Sequence, residues 1–571
     1  MRLSFSKSKN ATSFYVIKDV IEKNKRTTKI VEKLGTYDEL KNKLGDKDPY
    51  EWAKEYVEEL TRIEKEGKEP VVMAEYSPSK LIDSNTQRSF NGGYLFLQQT
   101  YYALGLHKIC DYISDKYKFT FDFNSILSRL SYGRILFPAS KFATNELSKQ
   151  FIEQPNFELQ HIYRALEYIA KESDFIQSEL YKNSLKVSKR NTGVLYYDCT
   201  NYFFEIEQED GLKQYGFGKD HKPNPIVQMG LFMDSDGIPL AFNINKGNTN
   251  EQVTLTPLEE QILSDFNLSK FVVCTDAGLA SNTNRNFNNI GGRAFITTQS
   301  VKKLKKHLKK WALDTNGWHL SNDNEVYDIS NLDEEKYKDK IFHKERWIKE
   351  DGLEQKLIVT YSLKYKNYQH LIRNNQIERA KKVIKTNPAK LKKCNSNDYK
   401  RFISKTHCTP EGEIAKKEIY SIDTNLIVNE EAFDGFYAVC TNLEDNASQI
   451  AEINRKRWEI EECFRIMKSE FKARPVYLSR DDRIIAHFTT CFISLIIYRL
   501  LEKKLGEKYT CHEILSTLKE MNFYELKGDG YIPTYTRTAL TDDLHEAFGF
   551  RTDYQIVSTK QMKKIFKESK N

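Results

Sequence analysis

The pattern of apolar and polar residues changes character along the chain and predicts a protein built in segments. Residues 13–34 contain two alternating runs around the polar turn EKNK, which is typical of a β-hairpin. Residues 38–66 are charged with helical spacing, and the polar stretch 77–90 is typical of a linker. From 91 to 185 apolar residues recur every three or four positions, which predicts a compact helical domain.

A β-rich region begins at GVLYYDCTNYFFEI (193–206), which is nearly continuous in apolar and aromatic residues, as a central strand should be. Three strands in a row, followed by helix, strand, helix and strand, predict a mixed α/β sheet. The later elements of this series are strands at 227–234 and 238–247, a helix at 254–266, a strand at 271–278, a helix at 282–289 and a strand at 294–299.

Residues 300–443 interrupt this unit with strand-like runs, at 356–364 and 436–442, that alternate with basic polar segments. Residues 447–473 contain neither Gly nor Pro and are predicted to form one long helix. The remainder is predicted to be helical to about residue 520 and mixed beyond it.

Composition excludes several classes of protein. With 571 residues and 39% hydrophobic residues, the chain has ample material for folded cores. The nine cysteines show neither a CxxC pair nor zinc-finger spacing, so reduced thiols in a cytosol are expected. The N-terminus lacks the apolar region of a signal peptide. The apolar run 484–501 is interrupted by His487 and Arg499, which favours a buried helix over a membrane span.

Two aspartates stand at chemically unusual places. Asp198 lies in the middle of an apolar strand, where a carboxylate costs several kcal/mol unless it is paired or bound to a metal. Asp276 ends a short strand, where α/β sheets place ligand-binding groups, although a capping or turn role is the alternative. Asp234 also ends a strand, but it opens the turn SDG and is predicted to serve that turn.

The predicted helix 447–473 carries one carboxylate among cations. On a straight helix Arg457, Glu461, Arg465 and Lys468 fall within about 80° of arc, and Asn454 lies on the same stripe. Surface ion pairing has the same spacing and is the alternative. A strand Asp, a strand-end Asp and a helix Glu are the groups that two-metal phosphoryl transfer needs, because Mg²⁺ prefers carboxylate oxygens.

Together these segments resemble the DDE transposases of bacterial insertion sequences, in the cut-and-paste branch with the YREK signature (the insertion-sequence-four-type group). The matching segments are YYDCT, GIPLAFNINKGNTNE, VVCTDAGLAS and NRKRWEIEECFRIMK. Arg457, Glu461 and Lys468 match the last three signature residues, and Asn454 stands where the Tyr is expected. The resemblance covers about residues 190–480.

The resemblance implies an RNase H-like mixed sheet as the α/β catalytic core, interrupted by a largely β insertion, with a helical N-terminal DNA-binding region and a helical C-terminal region. The expected division is 1–90 (β-hairpin and helical region), 91–190 (helical DNA-binding domain), 191–299 with 444–480 (catalytic core), 300–443 (basic insertion) and 481–571 (C-terminal helical region).

It further implies that Asp198, Asp276 and Glu461 are the catalytic triad and the ligands of two Mg²⁺ ions, for which Mn²⁺ substitutes. Arg457, Lys468 and Arg465 are then expected on DNA phosphates. The implied reaction is hydrolysis at a transposon end, a hairpin intermediate and strand transfer into target DNA. The implied partners are double-stranded DNA and a second copy of the chain in the synaptic complex, in the bacterial cytoplasm at the nucleoid.

Two basic runs lie within the insertion. Residues 363–407 contain thirteen Lys and Arg against Glu378 and Asp398, and VKKLKKHLKK (301–310) contains six lysines. We interpret them as a phosphate-binding surface, with a solvated loop as the alternative. Trp311, Trp318 or Trp347 could stack on a flipped base, although a core position is the simpler interpretation of each.

Two other functions are compatible with the same residues. One is an RNase H-like nuclease that cuts without joining, and the other is a non-catalytic DNA-binding protein derived from a transposase. The intact set of three carboxylates favours an enzyme.

Overall fold

Two compact units make up the computed structural model of the protein, Met1–Thr86 and Gln87–Asn571. The boundary lies inside the polar stretch 77–90, while the finer five-part division stays a prediction. The structure describes all residues except 9–10, 23–24, 46, 67–71, 73–75, 220–221, 322, 387–396 and 409–413.

The first unit is a three-stranded antiparallel sheet followed by two helices. Its elements are β1 (Arg2–Lys7), β2 (Thr12–Glu22), β3 (Lys25–Thr36), α1 (Tyr37–Leu44) and α2 (Pro49–Glu66). Phe14 of β2 packs with Leu40 of α1 and Ala53 of α2, because alternate residues of the strand face the helices. Thr36 and Glu39 form a capping box that starts α1. The predicted hairpin and helices are confirmed.

Helices dominate the start of the second unit. The elements are β4 (Ser89–Asn91), α3 (Tyr94–Ala103), α4 (Leu106–Tyr117), α5 (Phe123–Leu136), α6 (Lys141–Ser148), α7 (Leu159–Lys171) and α8 (Ser173–Val187). The predicted run of sheet elements follows as β5 (Val194–Phe203), β6 (Ile226–Asp234), β7 (Pro239–Lys246), α9 (Leu255–Asp265), β8 (Val272–Thr275), α10 (Asn282–Phe287) and β9 (Ala294–Gln299).

The rest of the chain alternates helices and strands. Within 300–443 lie α11 (Lys306–Leu313), β10 (His319–Leu320), α12 (Glu334–Tyr337), β11 (Phe342–Glu350), β12 (Leu353–Tyr361), α13 (Leu363–Thr386), β13 (Ile403–Cys408), β14 (Ile414–Ile422), α14 (Thr424–Glu431) and β15 (Phe436–Thr441). After it come α15 (Ala447–Arg455), α16 (Trp458–Arg465), α17 (Asp481–Lys504), α18 (Cys511–Glu520), β16 (Asn522–Leu526), β17 (Gly530–Pro533), α19 (Ala539–Phe548), β18 (Val557–Ser558) and α20 (Thr559–Glu568).

One nine-stranded mixed sheet organises the second unit, in the order β10-β11-β12-β15-β9-β8-β5-β6-β7. Only the β5–β8 and β8–β9 pairs are parallel, and the other pairs are antiparallel. The predicted mixed α/β sheet is confirmed. The sheet is larger than predicted, because β10, β11, β12 and β15 of the insertion extend it beyond β9.

The expectation of a largely β insertion is wrong. Residues 300–443 contain four helices among the described residues, including α13 with 24 residues. The basic polar composition concealed α13, although this segment lacks Gly and Pro and buries Ile377 and Ala380 at helical spacing.

The expectation of one straight helix over 447–473 is also wrong. The segment breaks between α15 and α16, where Arg457 N–H donates to Asn454 C=O (3.4 Å) and Ile460 N–H donates to Arg457 C=O (3.2 Å) in tighter three-residue steps. A π-helical turn, Ile466–Glu470, then follows α16. The five residues of the predicted stripe therefore do not share one surface: Asn454 is buried, whereas Glu461 and Arg465 are exposed.

Helix α17 forms the centre of the helical layer. By length and composition it is the one helix in the described part of the chain that could cross a membrane, yet 94% of its apolar window is buried inside the protein. It contacts α3, α5, α7 and α8. The predicted buried helix is confirmed.

Asp234 serves the turn after β6, as predicted. It is fully buried and accepts hydrogen bonds from the N–H groups of Asp236 (3.0 Å) and Ile238 (2.9 Å). The Arg190 guanidinium pairs with it and also donates to the carbonyls of Ile238 and Pro239 (both 3.0 Å). This pair ties the segment after α8 to the β6–β7 hairpin.

Replacing Arg190 by Met should destabilise the protein by about 3–5 kcal/mol, because it leaves the Asp234 carboxylate buried without its cation. Urea unfolding followed by circular dichroism measures this loss. The double variant Arg190→Met, Asp234→Asn should regain part of it. Lys182→Met, which breaks an exposed ion pair with Glu179, is the control and should cost no more than about 1 kcal/mol. A loss for Arg190→Met as small as the control's would contradict the prediction.

Candidate active site

The parallel pairing of β5 with β8 brings the two predicted aspartates side by side. Val194 pairs with Val272 and Tyr196 with Cys274, so residues 78 positions apart are level. Asp198, in the middle of β5, and Asp276, directly after β8, are separated by the same 78 positions and therefore lie level where the parallel pairing ends. The carboxyl end of a parallel strand is where α/β sheets place ligand-binding groups.

Asp198 faces the segment that carries the predicted signature residues. Side chains alternate along β5, and the neighbours on its face contact that segment: the Tyr196 hydroxyl donates to Ile453 C=O (3.0 Å), and the Tyr202 hydroxyl contacts Met467 Sδ (3.7 Å). Asp198 lies between these two contacts along the strand. Glu461 lies between residues 453 and 467 along the chain.

The charge of Asp198 is poorly compensated. Burial raises the pKa of its carboxyl group to about 6, the Lys219 ammonium and the Arg457 guanidinium lower it, and the Asp276 carboxylate raises it. The one hydrogen bond to its side chain in the described structure comes from Cys199 N–H (2.7 Å). The ionised form of Asp198 would therefore be stabilised by a further cation.

Asp276 also fills the alternative turn role. Its Oδ1 accepts the N–H groups of Gly278 (2.9 Å) and Leu279 (3.1 Å) at the start of the turn after β8. Within the described residues its Oδ2 accepts no hydrogen bond. The turn therefore fixes the carboxylate and leaves one oxygen available to a ligand.

Glu461 does not join the two aspartates. It is exposed, and its carboxylate forms no hydrogen bond or ion pair with any residue that the structure describes. Instead it lines a cavity of about 410 Å³ together with Asn454, Arg457 and Trp458. No three His, Cys, Asp or Glu side chains in the described chain lie close enough to hold a metal ion together. The structure thus assembles two members of the predicted triad and leaves the third at a neighbouring cavity.

Arg457 is fixed to the sheet, and the alternative of an Arg457–Glu461 surface ion pair is wrong for the described structure. Its Nη1 donates to Thr298 Oγ1 (2.9 Å), which also bonds the Tyr437 hydroxyl (2.7 Å). Asn454 Nδ2 donates to the same tyrosine (2.8 Å). The Nε of Arg457 is buried without a partner among these residues. One donor of this guanidinium is therefore unsatisfied beside Asp198.

The two other predicted phosphate ligands differ in their surroundings. Lys468 donates to Thr200 Oγ1, and its Nζ lies 5.5 Å from the centroid of the Tyr202 ring, so it lies next to β5. Arg465 is exposed and pairs with Glu462 one turn earlier on the same helix. The structure brings Arg457 and Lys468 to the strands of the site and leaves Arg465 on the surface.

Lys219 is a site residue that the sequence pattern did not reveal. Its Nζ donates to Cys199 C=O (2.6 Å) and lies 3.8 Å from Glu251 Oε1. Gln214 and Ile226 exchange backbone hydrogen bonds, and Lys219 N–H donates to Asn201 Oδ1 (3.0 Å), so Lys219 lies beside β5. The only sequence signal is a lysine in the Gly-flanked segment GFGKDHK, shortly after the strand of Asp198.

The two basic runs meet in the structure. Lys302 of the first run lines one cavity with Arg373 and Arg401 of the second. The lysines of α13 are exposed, but Arg373 is buried and pairs with Asp434, so it is not a surface cation. Lys390, Lys392 and Lys393 lie outside the described residues.

The three tryptophans of the insertion separate by burial. Trp318 is fully buried in the core, Trp311 is half-buried, and Trp347 is 44% exposed. Trp458, outside the insertion, is 60% exposed at the cavity of Glu461.

The site is thus a pair of aspartates that lie level on two parallel strands of a mixed α/β sheet. Residues 203–497, slightly more than half of the chain, match the family described as the transposase DDE domain, and the match includes Asp276 and Glu461. The chain belongs to this family. Its sequence matches no curated protein.

Among solved structures, the chain is similar to the cryo-EM structure of the piggyBac transposase synaptic complex with hairpin DNA. The identity is 8% and the TM-score 0.36, with 76% of this chain and 82% of that chain covered.

Replacing Asp198 by Asn should stabilise the metal-free protein at neutral pH. The folded-state pKa of about 6 lies above the unfolded value of 3.8, so the folded protein loses stability as the pH rises through this interval. At pH 7.5 the variant should gain roughly 1–3 kcal/mol over the wild type, and below pH 4 the gain should vanish. Thermal unfolding at both pH values, in EDTA, measures it. The exposed Asp265→Asn is the control, and an Asp198→Asn variant no more stable than wild type at pH 7.5 would refute the assignment.

Proposed function

We propose that the protein is a DNA transposase that binds the ends of a transposable element, cleaves them and joins the freed 3′-hydroxyl to target DNA. The observation that carries the proposal is that Asp198 and Asp276 lie level where the parallel pairing of β5 with β8 ends, in a chain of the transposase DDE family. The segment that carries Glu461 crosses the same face of β5.

The strand order supports an RNase H-like core. The predicted core strands occur as β7-β6-β5-β8-β9, in which three antiparallel strands are extended by two parallel ones. The insertion leaves the core after β9 and returns before α15. It adds its own strands to the same sheet.

The two aspartates fit a divalent cation. Asp198 is a half-buried carboxylate with a raised pKa, and Asp276 has an available oxygen beside it. A cation between them would offset both the cost of partial burial and their mutual repulsion. Asp198 and Asp276 would hold Mg²⁺, or Mn²⁺ in its place, and Glu461 would complete the ligand set, since no contact in the described structure restrains its carboxylate. Two such ions, when bound, supply an activated water or 3′-hydroxyl and stabilise the leaving oxygen.

The surrounding cations position the DNA. Arg457 is held by Thr298 with its Nε unsatisfied, so it can donate to a phosphate oxygen without losing its anchor. Lys468 lies at Thr200, two residues beyond Asp198 on the same face of β5. Lys219 adds a third positive charge next to Asp198. In this proposal the scissile phosphate lies among these three side chains, and two copies of the chain act together on paired ends in the bacterial cytoplasm.

Asp276→Ala should abolish cleavage of a transposon end in Mg²⁺ while leaving DNA binding within about twofold of wild type, because DNA affinity comes from the cations. Cleavage and gel-shift assays on one preparation test both parts, with exposed Asp265→Ala as the control. Retained Mg²⁺-dependent cleavage would exclude Asp276 from the chemistry.

Strand transfer separates a transposase from a plain nuclease. Given a pre-cut end and a supercoiled target plasmid, the wild-type protein should produce joined product, and Asp276→Ala should not. A protein that cuts ends but never joins them would favour the nuclease alternative.

Arg457→Lys should keep the charge but lose the two-pronged geometry of the guanidinium. We expect single-turnover cleavage at saturating Mg²⁺ to fall by about tenfold or more, with little change in the Mg²⁺ dependence, because this side chain aligns the phosphate rather than the metal. Arg465→Lys, on the exposed side of α16, is the matched control. Equal rates for the two variants would remove Arg457 from the site.

Changing Lys381, Lys382 and Lys385 on α13 to Glu should weaken binding to all duplex sequences alike and flatten the slope of log Kd against log salt. Changing Lys563, Lys564 and Lys567 on α20 to Glu makes the same charge change elsewhere. Equal effects of the two triple variants would show that the 363–407 run is only a solvated surface.

A further inference from the structure

Three basic side chains are buried together in the helical layer of the second unit. They are Arg134 on α5, Lys141 at the first position of α6 and His487 on α17, and each is only 6% exposed. None belongs to the group around Asp198 and Asp276. Cationic groups are rarely buried without an acidic partner, because removing them from water costs several kcal/mol.

Arg134 and His487 form hydrogen bonds with backbone carbonyl groups, and some of the donors in the cluster have no acceptor among the described residues. Arg134 donates to Phe471 C=O (3.2 Å) and Ala139 C=O (3.3 Å), while its Nε is buried without a partner. His487 Nε2 lies 3.2 Å from Ala473 C=O. Lys141 forms neither a hydrogen bond nor an ion pair with any residue that the structure describes.

No carboxylate balances the cluster in the described chain. Burial and the Arg134 charge together lower the pKa of Lys141 to about 7, and only the Cys491 thiol acts in the opposite direction. Burial, followed by the charges of Arg134 and Lys141, holds the pKa of His487 well below its usual value, so its imidazole is neutral. The elements packed here, α5, α6, α17 and residues 471–473, therefore present two cationic groups, an imidazole and carbonyl groups without an anion among the described residues.

The cluster also lies at the start of a helix. Exposed Ser140 caps α6 by accepting Ala143 N–H (3.1 Å), and Lys141 follows it. The first turn of a helix presents free N–H groups and the positive end of the helix dipole, which favour an anion. The exposed cap next to unpaired Lys141 gives such an anion a way in from solvent.

We propose that Arg134, Lys141 and the N-terminus of α6 form a phosphate-binding site, and that its ligand is a backbone phosphate of bound DNA. The connection along the chain places this site next to the candidate active site. Phe471 and Ala473, whose carbonyls accept hydrogen bonds from Arg134 and His487, closely follow the helical turn that carries Lys468. The identity of the ligand as DNA rests on the proposed function. The site would hold the duplex away from the cleaved bond and contribute to affinity rather than to chemistry.

The test is Lys141→Met in the full-length chain with Asp276→Ala, so that DNA stays uncleaved. The probes are a duplex of random sequence and, separately, inorganic phosphate. We expect the Met variant to bind the duplex about five- to tenfold more weakly, with a slope of log Kd against log salt reduced by about one. Without DNA, at about pH 6, the same variant should melt at a higher temperature, because the buried charge is gone.

The control is Lys149→Met, which removes an exposed lysine paired with Glu146 at the other end of α6. It should change neither the salt slope nor the melting temperature appreciably. Because binding is measured in a cleavage-deficient background, the result stands whether or not the protein proves to transfer strands.

Two outcomes would overturn the proposal. If Lys141→Met binds duplex like wild type, the ligand is not DNA, and a rise of the wild-type melting temperature in inorganic phosphate that Lys141→Met lacks would identify a free phosphate ion instead. If the Met variant does not fold, hydrogen–deuterium exchange of the parent protein decides. Duplex should protect residues 139–144 and 471–474, and unchanged exchange there would refute the site.

Discussion

The parallel pairing of β5 with β8 is the constraint on which the site depends. It sets Asp198, in the middle of β5, level with Asp276, directly after β8. A slip of one residue in this register would turn alternate side chains of β5 to the opposite face and carry Asp198 away from the helices. The long excursion through β6, β7 and α9 exists to return the chain to β8 in this register, and the buried Arg190–Asp234 pair fixes the first hairpin of that excursion.

The second unit carries charged and polar groups that its own side chains compensate only in part. Asp198 is a half-buried acid beside the β5–β8 pairing, Lys141 is a buried base away from it, and Arg457 keeps one donor unsatisfied among the described residues. In the proposed function, metal ions bind the Asp198 carboxylate, and DNA phosphates accept hydrogen bonds from Lys141 and Arg457. A ligand that binds only the folded state stabilises it by mass action, so the unliganded protein is expected to be the least stable form.

The sequence allowed the sheet and the aspartate pair to be predicted because their signals are local. Continuous apolar residues mark β5, and the strand-end position marks Asp276. The break at Arg457 has no such signal, since the segment has neither Gly nor Pro, and it coincides with contacts to Thr298 and Tyr437, which are remote in sequence. Lys219 was missed for the same reason, because its contact with Cys199 depends on a chain reversal. The pairing of Arg373 with Asp434 likewise joins residues 61 positions apart.

The position of Glu461 could be predicted only as far as its helix and face. The Glu461 carboxylate is exposed and has no restraining contact among the described residues, so its direction depends on its surroundings. The metal ions that would attract it are not encoded in the sequence. The same limit applies to the insertion. Its strand-like runs were visible in the sequence, but their attachment to the core sheet was not, because strand pairing between remote segments leaves no periodic pattern.

That attachment has a consequence for how the protein can change. β15 covers the hydrogen-bonding edge of β9, and β12 in turn covers β15. A deletion that joined Gln299 directly to Ala447 would expose the backbone of β9 as an open edge, which invites pairing with other chains and aggregation. The strands of the insertion are thus an integral part of the core sheet. Any shortened form of the insertion therefore has to retain β12 and β15.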